Sequence, residues 1–254
     1  MLSYLKRKIL AVQDGTHLLV NALLAPLSAP RYKVDALMQM DAIGVGSLPI
    51  ILLVGFFTGA VLALQTYRTL TRFGSATILG QAVALSVVRE LGPVLTAIVV
   101  AGRVSSGIAS ELGSMLVSEQ VDALRAMGTD PLRKLVAPRL YATLITLPVL
   151  TVLSDFIAML GGSIISVTVA HLTSNEYWSS AYQSLDYRDV TQGMIKPIFF
   201  AFVISLVGCY FGLNTTGGTE GVGRSTTQAV VVAVVMVIML DFFITQFLIG
   251  IGFA

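Results

Sequence analysis

The run LPIILLVGFFTGAVLAL, residues 48–64, contains no charged side chain. It is the centre of an uncharged segment enclosed by Ala42 and Arg68, and about 20 apolar residues are enough for a helix to cross a bilayer. Of the 254 residues, 55% are hydrophobic and only 12% are charged, against about 25% charged residues in soluble domains. The run therefore predicts the first transmembrane helix of an integral membrane protein.

Four further apolar segments predict an all-α integral membrane protein with about five transmembrane helices. They cover approximately residues 76–101, 140–170, 195–213 and 229–250. Two polar segments between them are expected to be loops, HLTSNEYWSSAYQSLDYRD at residues 171–189 and NTTGGTEGVGRSTTQ at residues 214–228. We expect a single domain in which residues 42–254 form the transmembrane bundle.

The N-terminal segment, residues 1–40, is expected to hold an interfacial helix and a linker. Apolar residues recur there at helical spacing: Leu2, Leu5, Ile9, Val12, Leu19 and Leu23. The basic run Lys6, Arg7 and Lys8 suits a helix that lies on the membrane surface against anionic headgroups. An ordinary soluble amphipathic helix has the same pattern. A signal peptide is disfavoured because residues 13–17 interrupt the apolar part.

Lysine and arginine are distributed unequally between the two sides of the predicted bundle. With the N-terminus in the cytoplasm, ten of them fall on the cytoplasmic side and three on the outer side. Cytoplasmic loops of membrane proteins carry the excess of positive charge. The bias predicts a multi-pass protein with a cytoplasmic N-terminus and an outer C-terminus, and it places the segment between the second and third spans in the cytoplasm.

That segment, ELGSMLVSEQVDALRAMGTDPLRK at residues 111–134, carries seven formal charges. Ser118 is expected to be the N-cap of a short helix, and Gly128 is expected to end it before Pro131. Its apolar residues form one stripe: Val117, Val121, Leu124 and Met127. The pattern predicts a short amphipathic helix, for which a solvated helix that touches only lipid headgroups is the alternative to a docking role.

Two stretches resemble the signature sequences of a known family. The first is RELGPVLTAIVVAGRVSSGIASELGSMLVSEQVDALRAMGTDPLRKLVAPR, residues 89–139, and the second is GGTEGVGRSTTQAVV, residues 217–231. Both resemble those of MlaE-type permeases, the membrane subunits of MCE-associated ABC lipid transporters. Chain length, the N-terminal helix and five spans match as well, so the resemblance covers nearly the whole chain.

The resemblance implies a permease in the bacterial inner membrane that moves phospholipid or a related lipid to or from a periplasmic protein with an MCE domain. Such a subunit is expected to be non-catalytic, to hold no cofactor and to bind no nucleic acid. Its expected partners are a second copy of itself and a cytoplasmic ABC ATPase that binds ATP. The chain has no Gly-x-x-x-x-Gly-Lys-Ser/Thr loop of its own, which agrees with ATP binding on the partner.

The resemblance also implies that the short cytoplasmic helix is a coupling helix, which docks into a groove of the ATPase. Apolar residues would anchor the helix there, and charged residues would fix its register. The residues implied for this contact are Glu119, Gln120, Val121, Asp122, Leu124, Arg125 and Met127.

Charged residues within the predicted spans each cost about 2.5–3.5 kcal/mol near the bilayer centre. They are Arg89, Glu90, Asp155, Lys196 and Asp241. Arg89 and Glu90 are neighbours that point in different directions on a helix, so each needs its own partner. Lys196 and Asp241 are available for this. Pro93 removes the helical hydrogen bond to the Arg89 carbonyl, and the predicted kink favours a cavity, with a structural ion-pair network as the alternative.

The resemblance favours a polar patch in a lipid-binding cavity between two permease copies. The residues implied for this substrate cavity are Leu62, Leu70, Phe73, Arg89, Glu90, Lys196 and Asp241. An ion-coupled secondary transporter would use the same charges, but such proteins more often show internal repeats, and none is found. No constellation typical of an intramembrane enzyme is evident. One cysteine and two distant histidines disfavour a metal site.

Small residues recur every four positions in two rows, where helices can approach closely. One row is Gly55, Gly59 and Ala63, and the other is Gly102, Ser106, Ser110 and Ser114. Packing within the chain and a seam between two copies are both compatible with these rows.

Overall fold

The structure is a computed structural model that describes residues 32–252, and these residues form helices and turns without a β-strand. The helices are α1 (Lys33–Arg72), α2 (Ala76–Val117), α3 (Gln120–Ala126), α4 (Leu132–Thr168), α5 (Ser174–Ser184), α6 (Tyr187–Leu213) and α7 (Gly218–Gly250). Within the described residues, five helices are long and apolar enough to cross a membrane: α1, α2, α4, α6 and α7. This confirms the predicted all-α architecture with five spans. The predicted interfacial helix lies outside the described residues.

The long helices extend beyond the apolar segments that the sequence marks. α2 continues past its predicted end near Ala101 to Val117, through a π-helical turn at Ala101–Ser105. α4 begins at Leu132 instead of about residue 140, again with a π-helical turn. Hydropathy marks only the residues that lipid can cover, whereas a helix continues into polar sequence as long as nothing there ends it.

The predicted outer loop at residues 171–189 contains α5, so the loop prediction is wrong there. Thr173 is the N-cap: its hydroxyl accepts from the Glu176 amide, and the Glu176 carboxylate accepts from the Thr173 amide. The Thr173 hydroxyl also donates to the Glu176 carboxylate, and the hydrogen bonds from the Thr173 amide and hydroxyl lower the pKa of Glu176. Tyr177, in the next position, is fully buried. The polar composition of this segment predicted a loop, although the segment contains a capping box, which starts a helix with one buried face.

The predicted Gly/Thr loop at residues 214–228 is wrong for most of its length, because α7 begins at Gly218. Gly217 and Gly218 form the turn, with φ angles of 92° and 65° that glycine adopts without strain. After the turn, Thr226 and Thr227 donate to carbonyls four residues earlier in α7. Their hydroxyls are thus satisfied within the helix, and the low helical preference of Gly and Thr is overridden by the rest of the fold.

The predicted short helix is present as α3, but it begins differently from the prediction. Ser118 does not cap it, because the Ser118 hydroxyl donates to the Ser114 carbonyl at the end of α2. Glu119 occupies the N-cap position with a left-handed φ of 58°, which turns the chain between α2 and α3. The end is as predicted, since Gly128 has a φ of 74° in a Schellman turn.

The described chain forms two compact units, and every long helix contributes residues to both. The first unit contains residues 32–45, Val100–Ile145 and Ala201–Met236. The second unit contains Gly46–Val99, Thr146–Phe200 and the chain from Val237.

In the second unit, glycines bring α1 and α4 to backbone contact. A Cβ added to Gly59 would overlap the Ala158 carbonyl, and one added to Gly161 would overlap the Phe56 carbonyl. The whole first row of small residues is buried: Gly55, Gly59 and Ala63. This row is therefore a packing seam within the chain.

In the first unit, α2 packs against α6 through a different face from its row of small residues. Gly208 lies against Ile108, and Gly212 lies against Leu112. Ser110 and Ser114 of the second row are exposed instead. Within the described chain, the second row is thus not the seam that joins these helices.

Candidate functional site

A buried charged cluster in the second unit joins three of the long helices. Lys196 of α6 has no exposed surface, and its Nζ lies 2.5 Å from Glu90 Oε2 of α2 and 3.0 Å from Asp241 Oδ1 of α7. Thr245, one turn after Asp241, donates to Glu90 Oε1 at 3.5 Å. The structure thus brings together three of the residues predicted for the substrate cavity, and we call them the lysine cluster.

The lysine cluster contains one cationic group and two carboxyl groups. The Glu90 side chain is 39% exposed and that of Asp241 is 20% exposed, while Lys196 is covered. Asp241 Oδ1 is a buried atom that forms an ion pair with Lys196 Nζ and accepts no hydrogen bond from the described residues. The accessible part of the cluster is therefore carboxyl, mainly that of Glu90, which can still accept hydrogen bonds from a ligand.

Arg89, the neighbour of Glu90, has a different partner. Its Nη2 and Nε lie 2.5 and 2.6 Å from Asp189 Oδ1, and Asp189 is 3% exposed. Asp189 is not among the predicted site residues, because its polar surroundings predicted a loop, whereas α6 already begins at Tyr187. The signal that could have found it is its spacing of seven residues from Lys196, two helical turns, which places both on one face of α6.

A π-helical turn at Val87–Leu91 carries Arg89 and Glu90. In it, the Gly92 amide bonds to the Val87 carbonyl, five residues earlier. The following Pro93 has no amide with which to continue the helical hydrogen bonds. The distortion predicted beside Pro93 is thus present as a π-helical turn, a feature that often occurs at functional sites.

The remaining residues predicted for the cavity lie in other surroundings. Leu62 and Leu70 pack against the buried cluster around Tyr177, and Phe73 is 77% exposed. Asp155 of α4, a charged residue of the predicted spans that was not assigned to the cavity, lies beside the Gly92 backbone, and its Oδ1 has no hydrogen-bond donor among the described residues. Residues 32–252 contain no group of three or more His, Cys, Asp or Glu side chains that could hold a metal ion. A cavity role for the two leucines and Phe73 stays a prediction.

The short helix α3 has a largely polar exposed surface. Its exposed residues are the polar Glu119, Gln120, Asp122 and Arg125 and the apolar Ala123, Ala126 and Met127, and Leu124 is half-buried. Val121 has no exposed surface, so it anchors α3 to the chain itself. Asp122 and Arg125 form an ion pair of 2.8 Å. The surface that α3 offers to another protein therefore lacks Val121 and combines polar residues with the apolar Leu124, Met127 and two alanines.

The chain is similar to one family model and to several known proteins. The model, described as Permease MlaE, matches residues 36–247. The intermembrane phospholipid transport system permease protein MlaE of Haemophilus influenzae is 42% identical over 215 residues, 84% of this chain and 82% of that protein. A probable ABC transporter permease protein of Rickettsia typhi is 41% identical over 222 residues, 87% of this chain and 86% of that protein. The chloroplastic protein TRIGALACTOSYLDIACYLGLYCEROL 1 of Arabidopsis thaliana is 40% identical over 213 residues, 84% of this chain and 61% of that protein.

Proposed function

This chain belongs to the MlaE permease family, and on that premise we propose that it is the membrane subunit of an ABC transporter for phospholipid or a related lipid. The lipid would move between the inner membrane and a periplasmic protein with an MCE domain. The name of the Haemophilus relative, a permease of an intermembrane phospholipid transport system, supports this proposal. The N-terminus would be cytoplasmic and the C-terminus periplasmic, as the lysine and arginine bias predicts.

The observation that carries the proposal is the lysine cluster. Charged groups are retained inside a membrane mainly where they face a cavity or a substrate path. A phospholipid headgroup often carries an ammonium group beside its phosphate, and the Glu90 carboxylate, 39% exposed, can accept hydrogen bonds from such an ammonium. The buried Lys196 pairs with the carboxyl groups of both Glu90 and Asp241. We assign the lysine cluster to the polar end of a substrate cavity, with further residues lining that cavity: Arg89, Leu62, Leu70 and Phe73.

In this proposal, a separate cytoplasmic ATPase binds and hydrolyses ATP, and the permease is non-catalytic. α3 is the coupling helix, and it contacts the ATPase through Glu119, Gln120, Asp122, Leu124, Arg125 and Met127. Val121 holds α3 against the permease, so that a movement of the ATPase is transmitted to α2 and α4. Two copies of the chain would work together, because ABC ATPases close as pairs and each copy has one such helix.

The test compares Glu90→Gln, Lys196→Met and the double variant in the assembled transporter. Glu220→Gln is the control, because the Glu220 side chain is 87% exposed. Each variant is measured for its amount in the membrane and for ATP-dependent lipid transfer, and the transfer is divided by the amount. We expect all three to transfer about ten times less lipid, an effect of about 1.4 kcal/mol on the barrier, while the control transfers normally.

Some loss of protein is expected as well, because removing one charge leaves its partner uncompensated. Recovery of transfer in the double variant would mean that Glu90 and Lys196 only neutralise each other, and the cavity assignment would be dropped. Normal transfer in the single variants would contradict it too. Transfer that needs no ATP would favour an ion-coupled secondary transporter instead.

A further inference from the structure

A short, structured connection joins α3 to the first turn of α4. α3 ends in the Schellman turn of Gly128, and the Asp130 carboxylate accepts a hydrogen bond from the Leu132 amide at 3.0 Å. The Asp130 carbonyl accepts a second hydrogen bond, from the Lys134 amide at 3.1 Å. Because few residues separate the two helices and several of them are hydrogen-bonded, a displacement of α3 would also move the first turn of α4.

Lys134 connects this turn of α4 to the start of α1 in two ways. Its Nζ donates a hydrogen bond to Asp35 Oδ2 at 2.6 Å, and the two groups form an ion pair. The same Nζ lies 4.5 Å from the centroid of the Tyr32 ring, within the range of a cation–π interaction. Tyr32 directly precedes α1, and Asp35 lies in its first turn. We call these three residues of the first unit the Lys134 joint.

Packing holds the start of α1 only weakly. Lys33–Met40 contains no buried residue, and its apolar Leu37 is 63% exposed. In the Lys134 joint, by contrast, the side chains of Lys134 and Asp35 are 34% and 35% exposed. Ion pairs that water still reaches contribute little to the stability of a fold. Breaking the joint would therefore leave the chain folded but remove a contact that fixes the start of α1.

We propose that Lys134 is a positioning residue of transport, which makes the start of α1 follow the movement of α3. This inference rests on the proposed function, in which the ATPase moves α3, and it adds α1 to the helices that receive that movement. The sequence connects α3 directly to α2 and α4, whereas the route to α1 passes through the Lys134 joint. From there, α1 continues through the π-helical turn at Asp41–Val45 to the contact of Gly59 with α4. It then reaches Leu62 and Leu70, which are assigned to the substrate cavity.

The test compares Lys134→Met, Asp35→Asn and Lys134→Arg in the transporter assembled with its ATPase. Co-purification of the ATPase, ATP hydrolysis and ATP-dependent lipid transfer are measured, and transfer is expressed as lipid moved per ATP hydrolysed. We expect this ratio to fall about threefold in Lys134→Met and Asp35→Asn, with normal co-purification, because the movement of α3 no longer reaches α1. Lys134→Arg keeps a cation that can pair with Asp35 and stack on Tyr32, so it should keep the wild-type ratio.

Arg224→Met is the matched control for the loss of an ion pair. Arg224 Nη2 lies 3.4 Å from Glu220 Oε1, but both residues belong to α7, so this pair joins no second helix. Co-purification, ATP hydrolysis and the ratio of lipid to ATP should all stay at the wild-type level in this variant.

A wild-type ratio in Lys134→Met or Asp35→Asn would overturn the proposal. An equal loss in Lys134→Arg would overturn it too, because the charge would then have no role. Loss of ATPase binding would assign Lys134 to the docking surface instead of the joint. If one of the two variants is not inserted, the other decides. These results leave the proposed function intact, whereas wild-type transfer that needs no ATP would refute that function and the role of Lys134 with it.

Discussion

Glu119 and His171 hold left-handed backbone conformations, with φ angles of 58° and 54°. Each stands at a helix end, Glu119 between α2 and α3 and His171 after α4. For residues other than glycine this conformation costs about 1–2 kcal/mol. Packing on the far side of each turn maintains it, because Val121 is fully buried after Glu119, and Leu172 packs against the buried cluster of the second unit after His171.

We expect His171→Gly to be more stable than His171→Ala by about 1 kcal/mol, because glycine adopts the left-handed region freely and alanine keeps the Cβ. The His171 side chain is exposed, so neither substitution removes a buried contact. Thermal unfolding of the purified chain measures the difference, which corresponds to about 2–4 °C in Tm for a chain of this size. Equal Tm values for the two variants would contradict a strained backbone at this position.

The charged residues of the spans can be predicted as a set from the sequence, but only partly as pairs. Glu90, Lys196 and Asp241 interrupt apolar runs, so hydropathy reveals them whatever their partners are. Asp189 lies among polar residues, and its burial depends on where α6 begins. Val121 shows a similar limit, because an apolar stripe does not tell whether a side chain faces its own chain or another protein.

At the scale of elements, helix centres follow from hydropathy, while helix ends follow from caps and packing. The capping box of Thr173 starts α5, and Gly217 and Gly218 set the start of α7. Both signals are present in the sequence, but the polar composition of the two segments led to the prediction of loops instead of helix starts. The π-helical turns are different, because they depend on how neighbouring helices pack. The turns at Val87–Leu91 and Leu132–Val136 are each followed two residues later by a proline, Pro93 and Pro138, and only the first was predicted.

The contact between α1 and α4 depends on the missing side chain of Gly59. Gly59→Ala would place a Cβ against the Ala158 backbone carbonyl, which cannot move aside as a flexible side chain can. We expect this variant to be less stable by about 1–3 kcal/mol, the usual effect of overpacking. Chemical unfolding of the chain in mixed micelles measures the change.

Gly223→Ala in α7 is the matched control, since its added Cβ meets no atom within 4 Å. There we expect a gain of up to about 1 kcal/mol, because alanine favours the helix more than glycine does. A loss of stability in Gly223→Ala as large as that in Gly59→Ala would show that the effect is not due to the contact with α4.

At the scale of the whole molecule, every long helix contributes to both compact units, and irregular turns lie where two helices pass from one unit to the other. The turn at Asp41–Val45 precedes the boundary in α1, and the turn at Ala101–Ser105 follows the boundary in α2. π-helical turns are weak points of an otherwise regular helix. If α3 docks to the ATPase as proposed, a displacement of α3 would reach the turn at Ala101–Ser105 along α2.

The proposed coupling role predicts that Glu119→Lys combined with Leu124→Asp prevents binding of the ATPase. The double variant reverses one exposed charge and places a carboxylate at the half-buried Leu124, the apolar residue around which the exposed charges of α3 are arranged. It leaves Val121 in place, so α3 should remain attached to the permease, and we expect a wild-type amount in the membrane. Co-purification with the ATPase should fall by about tenfold or more, since residues at the centre of an interface carry most of the binding energy.

Glu220→Lys is the control for this variant. It makes the same charge reversal at an 87% exposed side chain in the first turn of α7, and it should leave co-purification unchanged. A double variant that is inserted normally and still retains the ATPase would exclude α3 as the docking element.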